Sequence, residues 1–310
     1  MKILVLGATG FLGKRICKRL TEERIEFVRI SQSLGSDLRL REDFEWVFEH
    51  IKSITHIFNC AVFNGGIQFG YKYPAEIFYN NILINTYMFQ LAHKYGVKRI
   101  INPISNCSYP GLPQGRMKNY VEEEWWDGVL DESVMVYGFV RKASWVQSWA
   151  YWKQYGLETI NLIVPNMYGP GDHFDEVRSH ALGALIMKMS AGKKADLPFI
   201  DVWGTGNPVR EWIYCEDVVE AMMRSLTIDH FPDPVNIGVG YGVSIKKLAE
   251  MIKKEVGYEG ELVYDTTKPN GAPYKVMDIS LCKKIFGWNP QTSLEEGIRL
   301  TVEWYKNNAH

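Results

Sequence analysis

The sequence predicts an α/β protein: a doubly wound parallel sheet joined to a smaller α/β C-terminal lobe. Three observations carry the prediction. Short apolar or β-branched runs alternate with longer helical patterns as far as Pro165. A glycine-rich turn links the first run to the first helix, and the alternation stops at a Gly/Pro/Asn-rich stretch over residues 165–171.

The elements follow in order. Strands are expected over 2–6, 26–30, 56–60, 99–104 and 159–164, with helices over 11–22, 41–50, 74–95 and 137–155. Such strand–helix alternation means βαβ units, with helices on both faces of the sheet and ligands outside the carboxyl ends of the strands. Beyond Pro165 come a helix near 179–191, strands near 200–203 and 211–214, and a helix from Glu216. A buried strand within 234–239 is expected to return to the first sheet, and helices over 244–255 and 293–307 close the chain. The division expected is residues 1–165 as a sheet domain and 166–310 as a second lobe, with a cleft between them.

The bulk composition narrows the function. The chain has 310 residues, 46% hydrophobic and 23% charged, which suits two packed cores and argues against long disorder. A formal charge of −1 gives no basic field for nucleic acid or an acidic membrane surface. The run Ile3-Leu4-Val5-Leu6 meets Gly7 too early for a signal peptide, and no apolar stretch reaches about 18 residues, the length of a membrane span. Five scattered cysteines, Cys17, Cys60, Cys107, Cys215 and Cys282, form no CxxC pair. They fit a reducing, cytoplasmic setting and offer no metal site.

Gly7-Ala8-Thr9-Gly10-Phe11-Leu12-Gly13 lies between the first strand and the first helix. Glycine permits a tight turn and close approach of phosphate oxygens, and the helix N-terminus favours a pyrophosphate. In this context the loop is expected to bind a dinucleotide. The second strand ends Arg29-Ile30-Ser31-Gln32-Ser33, without the acidic residue that holds an NAD ribose hydroxyl. Lys14, Arg15 and Arg39 can answer a 2′-phosphate, so NADP(H) is favoured over NAD(H).

Ser105 follows the fourth strand in Ser105-Asn106-Cys107-Ser108-Tyr109-Pro110. Tyr137 opens a later helix, with Arg141 and Lys142 one turn on. A glycine loop, then Ser, then Tyr with a basic residue four positions later resembles the extended short-chain dehydrogenase/reductases, the NAD-dependent epimerase/dehydratases among them. Within that superfamily the chain is most similar to the GDP-L-fucose synthase family, which epimerises and reduces GDP-4-keto-6-deoxymannose. The likeness runs through Ala61-Val62-Phe63-Asn64-Gly65-Gly66, the stretch 105–110, Pro165-Asn166-Met167-Tyr168-Gly169-Pro170 and Ser179-His180. It continues through Val202-Trp203-Gly204-Thr205-Gly206, Arg210-Glu211, Lys268-Pro269-Asn270-Gly271-Ala272-Pro273 and Asp278.

The resemblance implies a Rossmann domain, a GDP-sugar substrate and a homodimer. It implies Ser105, Tyr137 and Arg141 as the reducing machinery and Cys107 with His180 as the epimerisation pair. Asn166, Trp203, Arg210 and Lys268 would line the nucleotide-sugar site. Cofactor contacts would extend from Gly7, Thr9, Gly10, Phe11, Leu12 and Gly13 to Asp37, Leu38, Ala61, Tyr137, Arg141, Pro165 and Met167.

The chemistry is coherent. Reduction of a 4-keto sugar needs a proton donor, and tyrosine, with a reference pKa of about 10, is helped by a nearby cation. A serine hydroxyl steadies the oxyanion. Epimerisation beside the ketone needs an acid and a base on opposite faces; cysteine at about 8.5 and histidine at about 6.5 bracket neutral pH.

The sequence departs from the superfamily at Tyr-x-x-x-Lys, where Arg141 takes the lysine position and Lys142 is rotated about 100° round the helix. Arginine stays charged but is bulkier. If Arg141 keeps the cationic role, Arg141→Lys leaves activity within about tenfold. If it does not, the chain is an epimerase with impaired hydride transfer. The stretch Glu132-Ser133-Val134-Met135-Val136 is more apolar than the family's approach to the tyrosine, which admits a related substrate such as a 4-keto heptose. An NAD-dependent 4-epimerase or dehydratase is the alternative within the superfamily, and a weakly catalytic dinucleotide-binding sensor or scaffold the alternative outside it. Tyr79, Ile82, Met88, Phe89, Trp145, Trp149 and Trp152 give the helices over 74–95 and 137–155 more large apolar groups than one buried stripe needs. A four-helix dimer interface would use them.

Overall fold

The computed structural model describes residues 1–111, 117–175, 178–231 and 233–308. Strands β1 (Lys2–Leu6), β2 (Glu26–Ile30), β3 (His56–Asn59), β4 (Arg99–Ser105) and β5 (Glu158–Val164) alternate with α1 (Phe11–Glu22), α2 (Arg41–His50), α3 (Ile67–Lys72), α4 (Pro74–Lys94) and α5 (Met135–Tyr155). Then come β6 (Asn166–Tyr168), α6 (Ala181–Lys194), β7 (Phe199–Trp203), β8 (Val209–Arg210), β9 (Trp212–Tyr214), α7 (Cys215–Arg224) and β10 (Val235–Asn236). The chain closes with β11 (Val243–Ser244), α8 (Ile245–Val256), β12 (Glu261–Asp265), β13 (Tyr274–Lys275), α9 (Ser280–Phe286) and α10 (Leu294–Asn308).

The main sheet has the order β2-β1-β3-β4-β5-β10, and every pairing in it is parallel. The chain winds outward in both directions from β1 and β3. That gap is the topological switch point, where a crevice opens at the strand ends. The inner strands are mostly apolar because helices cover both faces, and their buried Asn59, Asn102 and Asn161 are joined to one another by hydrogen bonds of 2.9 Å. On one face α1, α7 and α9 bury Ile16, Leu20, Val218, Met222, Cys282 and Phe286. On the other, α2 and α4 bury Phe44, Val47, Phe48, Met88 and Phe89. A separate core joins α6, α8, α10, β7 and β9 around Leu185, Ile186, Leu248, Ile252 and Ile298.

Residues 235–236 do return to the sheet, pairing with Leu162 and Ile163 of β5. With α7 and α9 they finish the sheet's core, so chain from the second half completes the first core. The strand expected over 211–214 runs from Trp212 to Tyr214, and a separate short strand precedes it. Val209–Arg210 pairs with β11 and β13, while Trp212–Tyr214 pairs with β6. Glu211 sits between them, buried, its carboxylate accepting from the Val239, Gly240 and Met277 amides at 2.6, 2.8 and 2.8 Å. Burial is the larger effect and pushes its pKa up to about 7. The helix expected from 179 starts at Ala181 instead, because His180 holds extended backbone (φ −73°, ψ 167°) as its N-cap.

Candidate active site

One cleft of about 1360 Å³ runs from the glycine loop to the second lobe. It is lined by Gly7, Thr9, Gly10, Phe11, Leu12, Asp37, Leu38, Ala61, Pro165 and Met167, and by Ser105, Cys107, Tyr137, Arg141, Asn166, His180, Trp203, Arg210 and Lys268. Of the expected residues, Gly13, Lys14 and Arg15 do not line it. The Gly13 Cα faces the Gly7 carbonyl, and a Cβ there would collide with that backbone. Gly13 therefore lets the loop pack on its own helix.

The cofactor end is a backbone cradle. Gly7 has φ +68°, and a Cβ on it would meet the Cys60 carbonyl oxygen at 2.6 Å, so two strand ends approach as only glycine allows. Two buried polar atoms here have no partner among the described residues: Asn59 Oδ1 and Arg141 Nε. A nucleotide's ribose and amide groups suit such orphans. These residues fit a dinucleotide. The three cations expected to answer a 2′-phosphate behave differently. Arg39 is forked onto Asp37, while Arg15 bonds the Phe11 carbonyl at 2.8 Å and the Pro170 carbonyl and lies 3.1 Å from Glu216. Lys14 shares Arg15's groove, outside the cleft.

Ser105 ends β4, and its Oγ accepts from the Cys107 amide at 3.2 Å. The turn Asn106–Ser108 then presents Cys107 to the cleft. Helix α5 closes directly over this turn because Gly138 faces the Cys107 carbonyl, where any side chain would clash. That places Tyr137 and Arg141 beside the same turn. Arg141 is 4% exposed and donates from Nη2 to the Tyr137 hydroxyl at 3.0 Å, with its guanidinium carbon 4.9 Å from the tyrosine ring centroid. Lys142 points elsewhere. Its ammonium bonds the Trp125 carbonyl and lies 4.2 Å from the Trp126 ring centroid, and burial pushes its pKa down to about 8. Of the two neighbouring cations, Arg141 alone contacts the tyrosine.

His180 is half-buried at the start of α6; burial and then His173 lower its pKa, which keeps the ring neutral near pH 7. In the second lobe the Trp203 indole donates to Asp201 at 3.0 Å, and Lys188 and Lys268 lie 5.6 and 5.5 Å from its ring centroid. Lys188 pairs with Asp201 at 2.5 Å. Arg210 donates to the Val209 and Asn270 carbonyls at 3.0 and 3.4 Å, and Asn166 donates to the Glu211 carbonyl at 3.0 Å.

Sequence reasoning missed Lys188, Asp201 and Lys275, which also line the cleft. Lys275 is buried, donating to the Tyr109 and Pro110 carbonyls at 2.8 and 3.1 Å, and burial pushes its pKa down to about 8. Lys188 lies on the helical face of His180, Ala181 and Ala184, a spacing that offered a signal. Lys275 offered none. Among the described residues no helix is long and apolar enough to cross a membrane.

A sequence model described as the NAD dependent epimerase/dehydratase family matches residues 3–238. The chain is 33% identical over 308 residues to GDP-L-fucose synthase 1 of Arabidopsis thaliana, covering 99% of this chain and 94% of that one. Its fold superposes on a GDP-6-OMe-4-keto-L-xylo-heptose reductase from C. jejuni with a TM-score of 0.90 at 25% identity, covering 99% and 97% of the two chains. A GDP-mannoheptose C4 reductase from Campylobacter jejuni with NADP bound gives 0.86 at 25% identity, covering 98% of each.

Proposed function

The chain belongs to the NAD-dependent epimerase/dehydratase family, and from that premise we propose that it is an NADP(H)-dependent epimerase/reductase acting on a GDP-linked 4-keto sugar. The substrate is a 4-keto-6-deoxy sugar or a close analogue such as a 4-keto heptose; the relatives' names supply both. The observation that carries the reading is the Arg141–Tyr137 hydrogen bond of 3.0 Å, in a cleft shared with Ser105, Cys107 and His180.

Gly7, Gly10, Leu12, Asn59 and Arg141 would hold the dinucleotide, which when bound supplies the hydride. Tyr137 Oη hands its proton to the C4 oxygen of the sugar, and Arg141 steadies the charge left behind on the phenol oxygen. Ser105 Oγ, with its lone pair already engaged by the Cys107 amide, donates its own hydrogen to the same carbonyl. That polarisation acidifies the neighbouring C–H groups. Of Cys107 and His180, one takes a proton from one face and the other returns one on the opposite face. Arg210, Lys268 and Lys188 would neutralise the diphosphate, with Trp203 as a flat surface for the nucleoside.

The same proposal includes a homodimer built on α4 and α5. Phe78, Tyr79, Phe139 and Trp149 are exposed there, and the Phe78 and Phe139 rings stack 6.2 Å apart. A solution mass equal to the monomer at micromolar concentration would remove this part. The five free thiols suit a cytoplasmic location. We place the lobe boundary at 165/166, with residues 234–239 belonging to the first domain.

The test is incubation with GDP-4-keto-6-deoxymannose in deuterated water, with and without NADPH. Loss of NADPH absorbance together with deuterium at C3 and C5 is expected. Deuterium without NADPH loss would leave an epimerase only, and neither signal would overturn the substrate.

A further inference from the structure

We propose that Asp201 reads the base of the bound nucleotide and selects guanine, its carboxylate Oδ1 accepting from the N1–H and N2–H groups of that base. The inference rests on the GDP-sugar reading above and deepens it. Asp201 and Trp203 are two residues apart on β7, so their side chains leave the same face of the strand, and both line the cleft. Val202 between them turns the other way, into the core of the second lobe. The Trp203 indole donates to Asp201 Oδ2 at 3.0 Å, and Lys188 Nζ donates to the same oxygen at 2.5 Å. Oδ1 takes no hydrogen bond from any other described residue, and the side chain is half-exposed.

The charge of this wall gives the carboxylate its meaning. Among the described residues that line the cleft after His180, Asp201 is the one acidic group, set amid Lys188, Arg210, Lys268 and Lys275. A carboxylate in a wall that takes a diphosphate repels the phosphates unless it faces another part of the ligand. Here one oxygen balances Lys188 and fixes the indole, and the other is left for the nucleoside that lies against Trp203. Burial alone would raise the Asp201 pKa, but the hydrogen bond and charge of Lys188 outweigh it and hold the carboxyl below its usual range. At neutral pH the group is therefore ionised and only accepts.

A pure acceptor discriminates among bases. Guanine places N1–H and N2–H side by side on one edge, and a single carboxylate oxygen has lone pairs for both. Adenine sets the N1 lone pair beside its amino group, and uracil flanks its one N–H with two carbonyl oxygens. Each of these turns an acceptor toward the carboxylate. The wrong base loses a charge-assisted hydrogen bond and leaves polar groups unpaired, which amounts to about 10- to 100-fold in affinity.

The test is calorimetric titration of the full chain with GDP, UDP and ADP, in the wild type beside Asp201→Ala and Asp201→Asn. GDP is expected to bind the wild type about 10- to 100-fold more tightly than UDP or ADP. Both substitutions should bring the three dissociation constants to within about threefold of one another. In Asp201→Asn the amide oxygen stays with Lys188 and Trp203, and the NH2 group that replaces Oδ1 meets the guanine N–H groups donor to donor. A role confined to holding Lys188 and Trp203 would instead weaken all three nucleotides by a common factor and leave their ratio untouched. GDP binding without a preference for guanine, or a preference that survives both substitutions, overturns the inference and leaves the GDP-sugar reading standing. Failure of the wild type to bind GDP overturns that reading itself, and shows before any variant is made.

Discussion

The two walls of the cleft are made of different material. The wall at the ends of β1, β2 and β3 is backbone and hydroxyl: Gly7, Gly10, Thr9, Ser31 and Ser33, with Arg39 already paired to Asp37. The wall built after Pro165 is long charged side chains around an indole: Lys188, Asp201, Trp203, Arg210 and Lys268. Backbone amides fixed by secondary structure hold a phosphate without side-chain ordering, and need only glycine at the close approaches. A wall of lysines and arginines recognises charge in a way that each side chain can be tested separately. Between the walls lies the α5 face that carries Tyr137 and Arg141.

The largest expected effect falls between the walls. Tyr137→Phe should cut NADPH-dependent reduction by about 100-fold or more while NADPH binding stays within about threefold. The complementary Cys107→Ala should lose deuterium exchange at C3 and C5 by a similar factor. Stopped-flow absorbance and mass spectrometry read the two separately. If one substitution removed both signals equally through lost binding, the division of labour would be wrong.

A smaller effect belongs to the charged wall. Arg210→Ala should raise KM for the GDP-sugar about 10- to 100-fold, the value of one or two charge-assisted hydrogen bonds, and leave the dissociation constant of NADPH unchanged. Steady-state kinetics beside cofactor titration decide it. A weaker cofactor with an unchanged sugar KM would assign the arginine to the opposite wall.

What was legible in the sequence follows the same division. The parallel sheet, the glycine turn and the return of residues 235–236 were readable, because apolar runs and glycines express backbone geometry directly. Three things were not. The break at Glu211 depends on a carboxylate reaching amides at residues 239, 240 and 277. The short helices α3 and α9 are too brief for a periodic signal. The mixing of cores, in which α7 and α9 also pack on the first sheet, is set by contacts far apart in sequence. The candidate site residues could be named only through family likeness, since Ser105, Cys107, Tyr137 and His180 carry no shared periodicity; that they line one cleft comes from the fold. That Lys142 turns away from Tyr137 could be anticipated from helix rotation, but its partners Trp125 and Trp126 could not.

The smallest expected effect is a slope in stability. Lys142 and Lys275 have folded pKa values pushed down to about 8 by burial, from an ordinary 10.5. Between those values the unfolded chain binds more protons than the folded one, so their contribution to stability rises with pH through that window. Buried Tyr214, pushed up to about 12 from 10, works in the opposite sense and takes stability away above pH 10. The buried Cys215 and Cys282 thiols, pushed up to about 12 from 9.0, oppose the lysines from about pH 9, so the readout is a difference: the denaturant midpoint of the wild type relative to Lys142→Met should increase from pH 8 to 10.

The measurement that bears most directly on the account is the rate of NADPH-dependent reduction in the wild type beside Arg141→Lys and Arg141→Met. The hydrogen bond of 3.0 Å from Arg141 to Tyr137 predicts an active wild type, a lysine variant within about tenfold of it, and a methionine variant slower by about 100-fold or more. An inactive wild type in which Arg141→Lys switches reduction on would contradict it, and would make Arg141 the residue that disables hydride transfer in this chain.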